Sequence, residues 1–422
     1  MTTHGTTGSR RRTRSTRGRI PTSSRIRCWT TSNGSSPVIR PTHATVDLDA
    51  LVHNYGAILR HVAGSRAAGR SAPPHVIAVV KANAYGHGAA PVALALERAA
   101  AEGGAPASSM PLLACADIEE GIELRAAGVS APILVFGALS VSDLAGLFEH
   151  DLTPTVSSPG AARALAEAAG ARGVRLRVHL KIDTGMHRFG FRDDNLRDTL
   201  PEVVGSPHLV VDSVYTQFAT AELAGHPLFA EQRERFEAVR GAARGFGLDG
   251  VRWHAANSAA LLRDPRTWYD AVRPGLLLYG IEPSPLETDL ELRPVMSVRS
   301  RIVAVKGMWP GESAGYGARF VADRPMRVAI IPAGYADGLD LRLAGRGSVL
   351  IGGARADVVT VAMDSLTVDV TAVPAGPGDD VVILGEQAGA RIGANEIARA
   401  IGTVPHEVLC RVGARIVRTY NR

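Results

Sequence analysis

The chain has 422 residues, 45% of them hydrophobic and 21% charged, a balance that excludes collagen-like, coiled-coil and wholly disordered classes. At roughly 100 to 200 residues per domain the length suggests two domains, each able to bury a core, and no apolar run approaches the ~20 residues needed to span a bilayer. The formal charge of +6 is local: residues 1–40 carry nine arginines and no acid, so the remainder holds +6 minus +9, or −3, and neither a nucleic acid nor a membrane is expected as a partner.

The basic stretch 1–40 is rich in Ser and Thr and lacks the apolar segment of a secretory signal, so it reads as a disordered tail or as sequence ahead of the true start. Cys28, Cys115 and Cys410 follow neither a CxxC nor a Cys/His spacing. No disulfide framework and no metal site are expected, and a reducing, cytoplasmic setting fits. Of the 47 basic residues only Lys81, Lys181 and Lys306 are lysines, which leaves 44 arginines. A lysine kept in so arginine-dominated a chain hints that its amine chemistry is wanted.

In chain order, Ala44 to Leu48 reads as a short strand that could pair with either domain, with a helix starting near Asp49. Eight apolar runs follow: Val76–Val80, Leu112–Cys115, Ile133–Phe136, Thr153–Val156, Leu176–Ile182, Leu209–Tyr215, Val251–His254 and Tyr269–Val272. Amphipathic, Ala-rich stretches lie between them, such as the one capped by Ser158 with Pro159 in its first turn and Gly170 as its stop. Eight strands with crossover helices in about 200 residues, and no GxGxxG after the first, predict an α/β fold with a closed (β/α)8 TIM barrel over 41–283. After Pro283 the pattern becomes short strands and turns: Val298–Val305, Arg327–Ile331, Ser348–Ile351, Asp357–Val370 and Val381–Leu384, with almost no helix pattern until Ala394–Ile401. Residues 284–422 therefore read as a mainly β C-terminal domain.

The polar clusters fall after the strand ends, on the catalytic face of such a barrel. Lys81, Asn83 and Tyr85 follow the first strand, Lys181, Asp183 and Arg188 the fifth, Gln217 the sixth, His254, Asn257 and Ser258 the seventh, and Arg273 and Gly275 the eighth. A lysine at the end of an apolar strand is partly desolvated, which lowers its pKa and suits it to Schiff-base chemistry; the competing reading is a lysine snorkelling into solvent. Asn257 and Ser258 sit where a helix opens, as phosphate ligands or as a plain cap. His87 and His406 read as structural or solvated, and Trp253 and Trp268 as packing residues.

The segments AVVKANAYGHG, KIDTGMHRFG, VRPGLLLYG, IIPAGYADG and PTHATVDLDALVHN resemble the signature segments of alanine racemases, fold-type III enzymes that use pyridoxal 5′-phosphate. The resemblance runs from about Pro41 to the C-terminus. It implies a homodimer with shared active sites, a small amino-acid substrate, and interconversion of L- and D-alanine for peptidoglycan. Residue by residue, Lys81 matches the lysine that bonds the cofactor aldehyde, and Tyr85, Ser258, Gly275 and Leu276 match phosphate-site residues, with Asn257 beside them. Arg273 matches the arginine facing the pyridine nitrogen, and Arg188 the one at the cofactor's phenolic oxygen and the substrate carboxylate. Tyr316 resembles the second base, supplied by the other subunit, and Met363 the position whose backbone N–H meets the substrate carboxylate. Lys181 resembles a lysine that is carbamylated in many members. Racemisation removes a proton from one face of the α-carbon and returns one to the other, so two acid–base groups must flank it; Lys81 and Tyr316 are that pair. A broader amino-acid or serine racemase, a decarboxylase on a similar barrel and a cofactor binder without turnover are the competing readings.

Four positions depart from the family pattern. Thr360 and Ala362 stand where Arg and Cys are common near the substrate entrance, and Ala414 where some members have a phosphate-binding Tyr. Gln217 replaces the usual His stacked on the cofactor ring, and an amide packs and hydrogen-bonds but does not titrate. A tyrosine ordinarily titrates at about 10 and needs help to act as a base, so the pH optimum is expected to lie on the alkaline side of that of a His-containing relative. Gln217→His should therefore move the acidic limb of the pH–rate profile toward lower pH; an unmoved profile would count against this reading.

Overall fold

The structure, a computed structural model, describes residue 1 and residues 40–64, 72–102, 111–137, 139 and 143–421. Residues 2–39 of the basic tail, Cys28 among them, lie outside the described residues.

The first strand, β1 (His43–Asp47), belongs to the second sheet described below. Eight strands then form the barrel: β2 (His75–Val79), β3 (Leu112–Cys115), β4 (Ile133–Val135), β5 (Leu152–Val156), β6 (Leu176–Asp183), with a two-residue strand β7 (Phe191–Arg192) beside its end, β8 (Leu209–Tyr215), β9 (Arg252–Asn257) and β10 (Ala271–Arg273). All pair in parallel, and the ring closes because β5 pairs with β6 and β10 with β2. Parallel strands covered on both faces read as unbroken apolar runs, which is why β4 is buried at Ile133, Leu134 and Val135 alike. Between strands the helices start where the sequence places caps. Ser158 accepts the N–H of Ala161 at 3.1 Å, and Pro159 opens the helix Pro159–Ala171 at a position where no N–H is needed. Trp253 and Trp268 are buried, as expected of packing residues.

The C-terminal part is a mainly β unit. Its strands are β11 (Met296–Arg301), β12 (Ala304–Met308), β13 (Ser313–Ala314), β14 (Phe320–Val321), β15 (Met326–Ile331), β16 (Ser348–Ile351), β17 (Ala354–Val361), β18 (Leu366–Asp369), β19 (Asp380–Gln387), β20 (Ala390–Ile392) and β21 (Val417–Asn421). The main sheet runs β12-β15-β18-β17-β16-β19-β11-β1-β21, and β13 and β14 form a separate small hairpin. β1 is inserted here, antiparallel to β11 and parallel to β21. Arg40, just ahead of it, donates to both carboxylate oxygens of Asp337, each at 2.6 Å.

Two expected strands are divided in the structure. The run Val298–Val305 breaks between β11 and β12, and Asp357–Val370 breaks between β17 and β18, where a turn carries Met363. Among the described residues no helix is long and apolar enough to cross a membrane.

Candidate active site

The strand ends converge on one cavity of about 450 Å³ at the C-terminal mouth of the barrel. Lys81, Tyr85, Lys181, Arg188 and Gln217 line one part of it, and Asn257, Ser258, Arg273, Gly275 and Leu276 another. Ten of the twelve residues given a catalytic, cofactor or substrate role in the sequence thus share one space, while Asn83, Asp183 and His254, also at strand ends, do not line it. The other two of the twelve do not: Tyr316, beside the β13–β14 hairpin, is 90% exposed, and Met363, in the turn between β17 and β18, is 55% exposed. Their segments do meet each other, since a β-carbon on Gly315 would come within 3.0 Å of Thr360 Cγ2.

Lys81 follows β2 directly, and its pKa is lowered, first by burial and then by the charge of Arg188. Lys181, near the end of β6, is pushed down to about 7 by burial, Arg188, Arg273 and Lys81. Like charges brought together in a desolvated space disfavour further protonation, so the cavity is electropositive and suited to an anion.

Opposite Lys81 lies a corner made by the starts of two helical turns. Asn257 accepts the N–H of Ala260 at 2.9 Å as a helix cap, and Ser258 Oγ accepts the N–H of Gly275 at 2.9 Å. Of the opening amides of the helix Ser258–Arg263, which have no partner within it, that of Ala260 is met by this cap. The Tyr85 hydroxyl rests on Gly275: a β-carbon there would lie 2.4 Å from the oxygen. Tyr85 is itself wedged against the rings of Tyr279 and His406, at 5.0 and 5.4 Å.

Arg273, at the end of β10, is buried. It donates to the carbonyls of Thr216 and Ala255 at 2.7 and 2.8 Å, to Gln217 Oε1 at 3.1 Å and to His254 Nδ1 at 2.7 Å. Burial pushes it down to about 10, still above neutral pH. An arginine only donates, so His254 Nδ1 must accept and its Nε2–H points to His179 Nδ1, 3.1 Å away. His179 Nε2 in turn faces Asp212 at 3.4 Å.

Sequence reasoning did not pair His254 with Arg273, and it read His406 as structural or solvated. His406 keeps an exposed edge, as a solvated residue would, and also lines the cavity, where the desolvation of its inner side and the charge of Lys81 hold it below the usual imidazole range. Its short helix, Pro405–Cys410, comes from the far end of the chain, and no local pattern marks where such a helix docks. His87 is structural as expected, fully buried with Nδ1 on the carbonyls of Ala84 and Tyr85 at 2.8 and 3.0 Å.

A closed parallel barrel that gathers a desolvated lysine, a donor-only arginine and an anion corner at its mouth, and that continues into a β-rich unit, has the architecture of a barrel-type amino-acid isomerase. Comparison with known proteins makes this specific. The model of the alanine racemase N-terminal domain matches residues 46–283 and that of the C-terminal domain residues 295–420. Alanine racemase 2 of Caldanaerobacter subterraneus is 38% identical over 386 residues, covering 90% of this chain and 95% of its own. The alanine racemase of Streptomyces lavendulae, a D-cycloserine producer, superposes with a TM-score of 0.81 at 34% identity, covering 92% of this chain and 98% of its own. That of Bartonella henselae, solved with covalently bound pyridoxal phosphate, gives 0.77 at 26% identity over 90% and 99% of the two chains. The chain belongs to the alanine racemase family, and is an isomerase.

The contact between Gly275 and Tyr85 yields a test. Gly275→Ala should lower affinity for pyridoxal phosphate about tenfold or more, because Tyr85 is wedged and cannot retreat, a loss of ~1.4 kcal/mol. The melting temperature should move by only a few degrees. Titration of the variant by cofactor absorbance, beside a thermal melt, reads both; unchanged affinity would mean that the corner is looser than its geometry.

Proposed function

We propose that the chain interconverts L- and D-alanine with pyridoxal 5′-phosphate held at the barrel mouth, in a homodimer whose second copy completes each site. The observation that carries this reading is the division of the site: ten residues line one electropositive cavity while Tyr316 and Met363 stand exposed on the C-terminal unit. A second copy placing that face over the cavity would unite them.

The residues present fit the cofactor. Tyr85 Oη, Ser258 and the amide groups at Gly275 and Leu276 would hold its phosphate, Arg273 would face its ring nitrogen and Lys81 would bond its aldehyde carbon. Gly275 leaves that corner open only because it has no β-carbon. Bound there, the cofactor supplies an electron sink that makes the α-proton of an amino acid removable.

The protein's own part is proton handling. Lys81 Nζ, held toward its neutral form by burial and by Arg188, takes or returns a proton on one face of the α-carbon. Tyr316 Oη of the second copy does so on the other, and Arg188 and the Met363 N–H orient the carboxylate. Arg273 has only protons to offer, so it would leave the ring nitrogen of a bound cofactor unprotonated, and the weaker sink this gives would favour return of a proton to the α-carbon over transfer of the amino group. Gln217 takes one of the Arg273 protons and contributes no titration. D-alanine made in this way would enter peptidoglycan synthesis in the cytoplasm.

Tyr316→Phe discriminates a racemase from a cofactor binder. It should keep the cofactor absorbance and lose turnover about 10²-fold or more in at least one direction, while borohydride should still trap the cofactor on Lys81. Full turnover without the phenol would refute the two-base reading.

Lys181, at about 7, is neutral in a growing fraction of molecules as the pH rises past that value. The free amine attacks CO2, forming an N–C bond and releasing a proton, and the resulting carbamate would replace a charge that repels Arg188 with one that pairs with it. In 13C-bicarbonate the carbamate carbon signal should strengthen as the pH passes from about 6 to about 8 and vanish in Lys181→Ala. A signal that is absent throughout would show the amine to be unmodified.

A further inference from the structure

Glu120, in the helix Ile118–Ala126, takes no part in the chemistry above, yet its carboxylate is built into the segment that carries Lys81. After β2 the chain does not continue extended or right-handed. Ala82 (φ 53, ψ 51), Asn83 (φ 53, ψ 46) and Ala84 (φ 54, ψ 51) are left-handed, and Tyr85 follows at φ 52. Four side-chain-bearing residues in succession adopt a conformation in which each Cβ crowds the following carbonyl. Such a run persists only where the surroundings over-determine it.

Part of that determination is local. Ala84 N–H donates to the Val80 carbonyl at 2.8 Å, Gly86 N–H to that of Ala82 at 3.0 Å, and Asn83 Oδ1 accepts the N–H of Ala89 at 2.8 Å. The opening of the turn is held from outside. Glu120 Oε1 accepts the N–H of Ala82 at 2.6 Å, and the N–H of Asn83 also donates to this carboxylate. Glu120 Oε2 accepts the N–H of Ala116, just past β3, at 2.7 Å. Asp117 caps the helix by accepting the N–H of Glu120 at 2.9 Å, which fixes where the carboxylate stands. One half-buried anion thus ties the loop after β3 to the turn after β2 through charge-assisted bonds.

We propose that Glu120 is a positioning residue: its carboxylate clamps the opening of the left-handed turn and thereby sets the direction in which Lys81 and Tyr85, at the two ends of that turn, enter the cavity. The clamp is a property of the chain itself, while its consequence for the cofactor rests on the reading given under Proposed function.

The test uses the full chain. In cofactor-free protein, amide exchange measured by mass spectrometry on peptides covering 82–88 should be about tenfold or more faster in Glu120→Ala, with exchange elsewhere in the barrel unchanged except at the Ala116 amide that the same carboxylate holds. Affinity for pyridoxal phosphate should fall by about tenfold or more in the same variant. Adding Ala82→Gly should recover part of that affinity, because glycine reaches positive φ without the steric penalty; a general loss of packing would not be relieved by a residue that removes a side chain. If Glu120→Ala does not fold, Glu120→Gln, which keeps one acceptor and sets an N–H2 group against the second amide, carries the same comparison with a smaller effect. Wild-type exchange and wild-type affinity in the variant overturn the proposal. A wild-type chain that does not bind pyridoxal phosphate defeats the functional reading instead, and the exchange arm still decides the clamp.

Discussion

The site is organised around a guanidinium taken out of water. Removing a cation from solvent costs several kcal/mol unless its protons are met, and Arg273 meets them without a carboxylate in contact. Its partners are two carbonyls, one amide oxygen and one imidazole. Because arginine only donates, this choice fixes everything behind it: His254 must present a bare Nδ1, His179 must accept from His254, and the last N–H of the series points at Asp212. That anion also pairs with Arg252 and lies two imidazoles away from the buried charge. The direction of every hydrogen bond in the chain follows from the one residue that cannot accept. Burial holds both imidazoles toward the neutral state, as the arrangement requires. An Arg273 left without these acceptors would be a buried, unsatisfied donor group.

Much of the fold was legible because a parallel barrel writes its strands as apolar runs and its helices as capped, Ala-rich stretches. β2 to β6, β8, β9 and β10 lie on the eight expected runs, with ends displaced by a few residues. The misses have a common cause. Within Val298–Val305 the β-branched pattern continues across the break, at Ile302 and Val303, and within Asp357–Val370 the break at Ala362–Ser365 carries no Gly or Pro between two β-branched runs, so propensity favoured a strand where the chain turns. At Ala362 and Met363 the turn is held instead by long-range bonds, in which their carbonyls accept the N–H groups of Tyr335 and Ala336, both at 2.9 Å. Such bonds leave no mark on the local sequence.

The candidate site was legible to the same degree and for the same reason. Residues at strand ends announce themselves by position, and ten of them share the cavity. His406 does not, because it reaches the mouth from the C-terminal unit by tertiary docking. His406 is exposed, as a solvated residue would be, but its place at the cavity comes from a contact between segments more than 300 residues apart that the sequence did not reveal. Glu120 was invisible for a related reason: an acid in the first turn of a helix ordinarily complements the helix dipole, and nothing local reveals that this one serves another segment's backbone.

The Lys81 turn is where the two halves of the fold become one object. Its far end leaves no room beyond the backbone: a β-carbon on Gly86 would lie 2.4 Å from the Leu409 carbonyl oxygen, and one on Gly88 2.1 Å from the Tyr420 hydroxyl. Arg418, in β21, donates to the Gly86 carbonyl at 2.6 Å. β21 pairs with β1, the strand that precedes the barrel. The turn is therefore gripped at its opening by the barrel, through Glu120, and at its end by the β unit, through β21 and the helix Pro405–Cys410. A left-handed run of ordinary residues disfavoured by roughly 1–2 kcal/mol each would relax if either grip were released. The barrel can carry Lys81 on such a strained segment only because the C-terminal unit closes over it, so the second unit supports Lys81 as well as presenting Tyr316 and Met363 outward. This is a physical reason for the insertion of β1: the sheet that grips the turn is anchored by the residues immediately before the barrel.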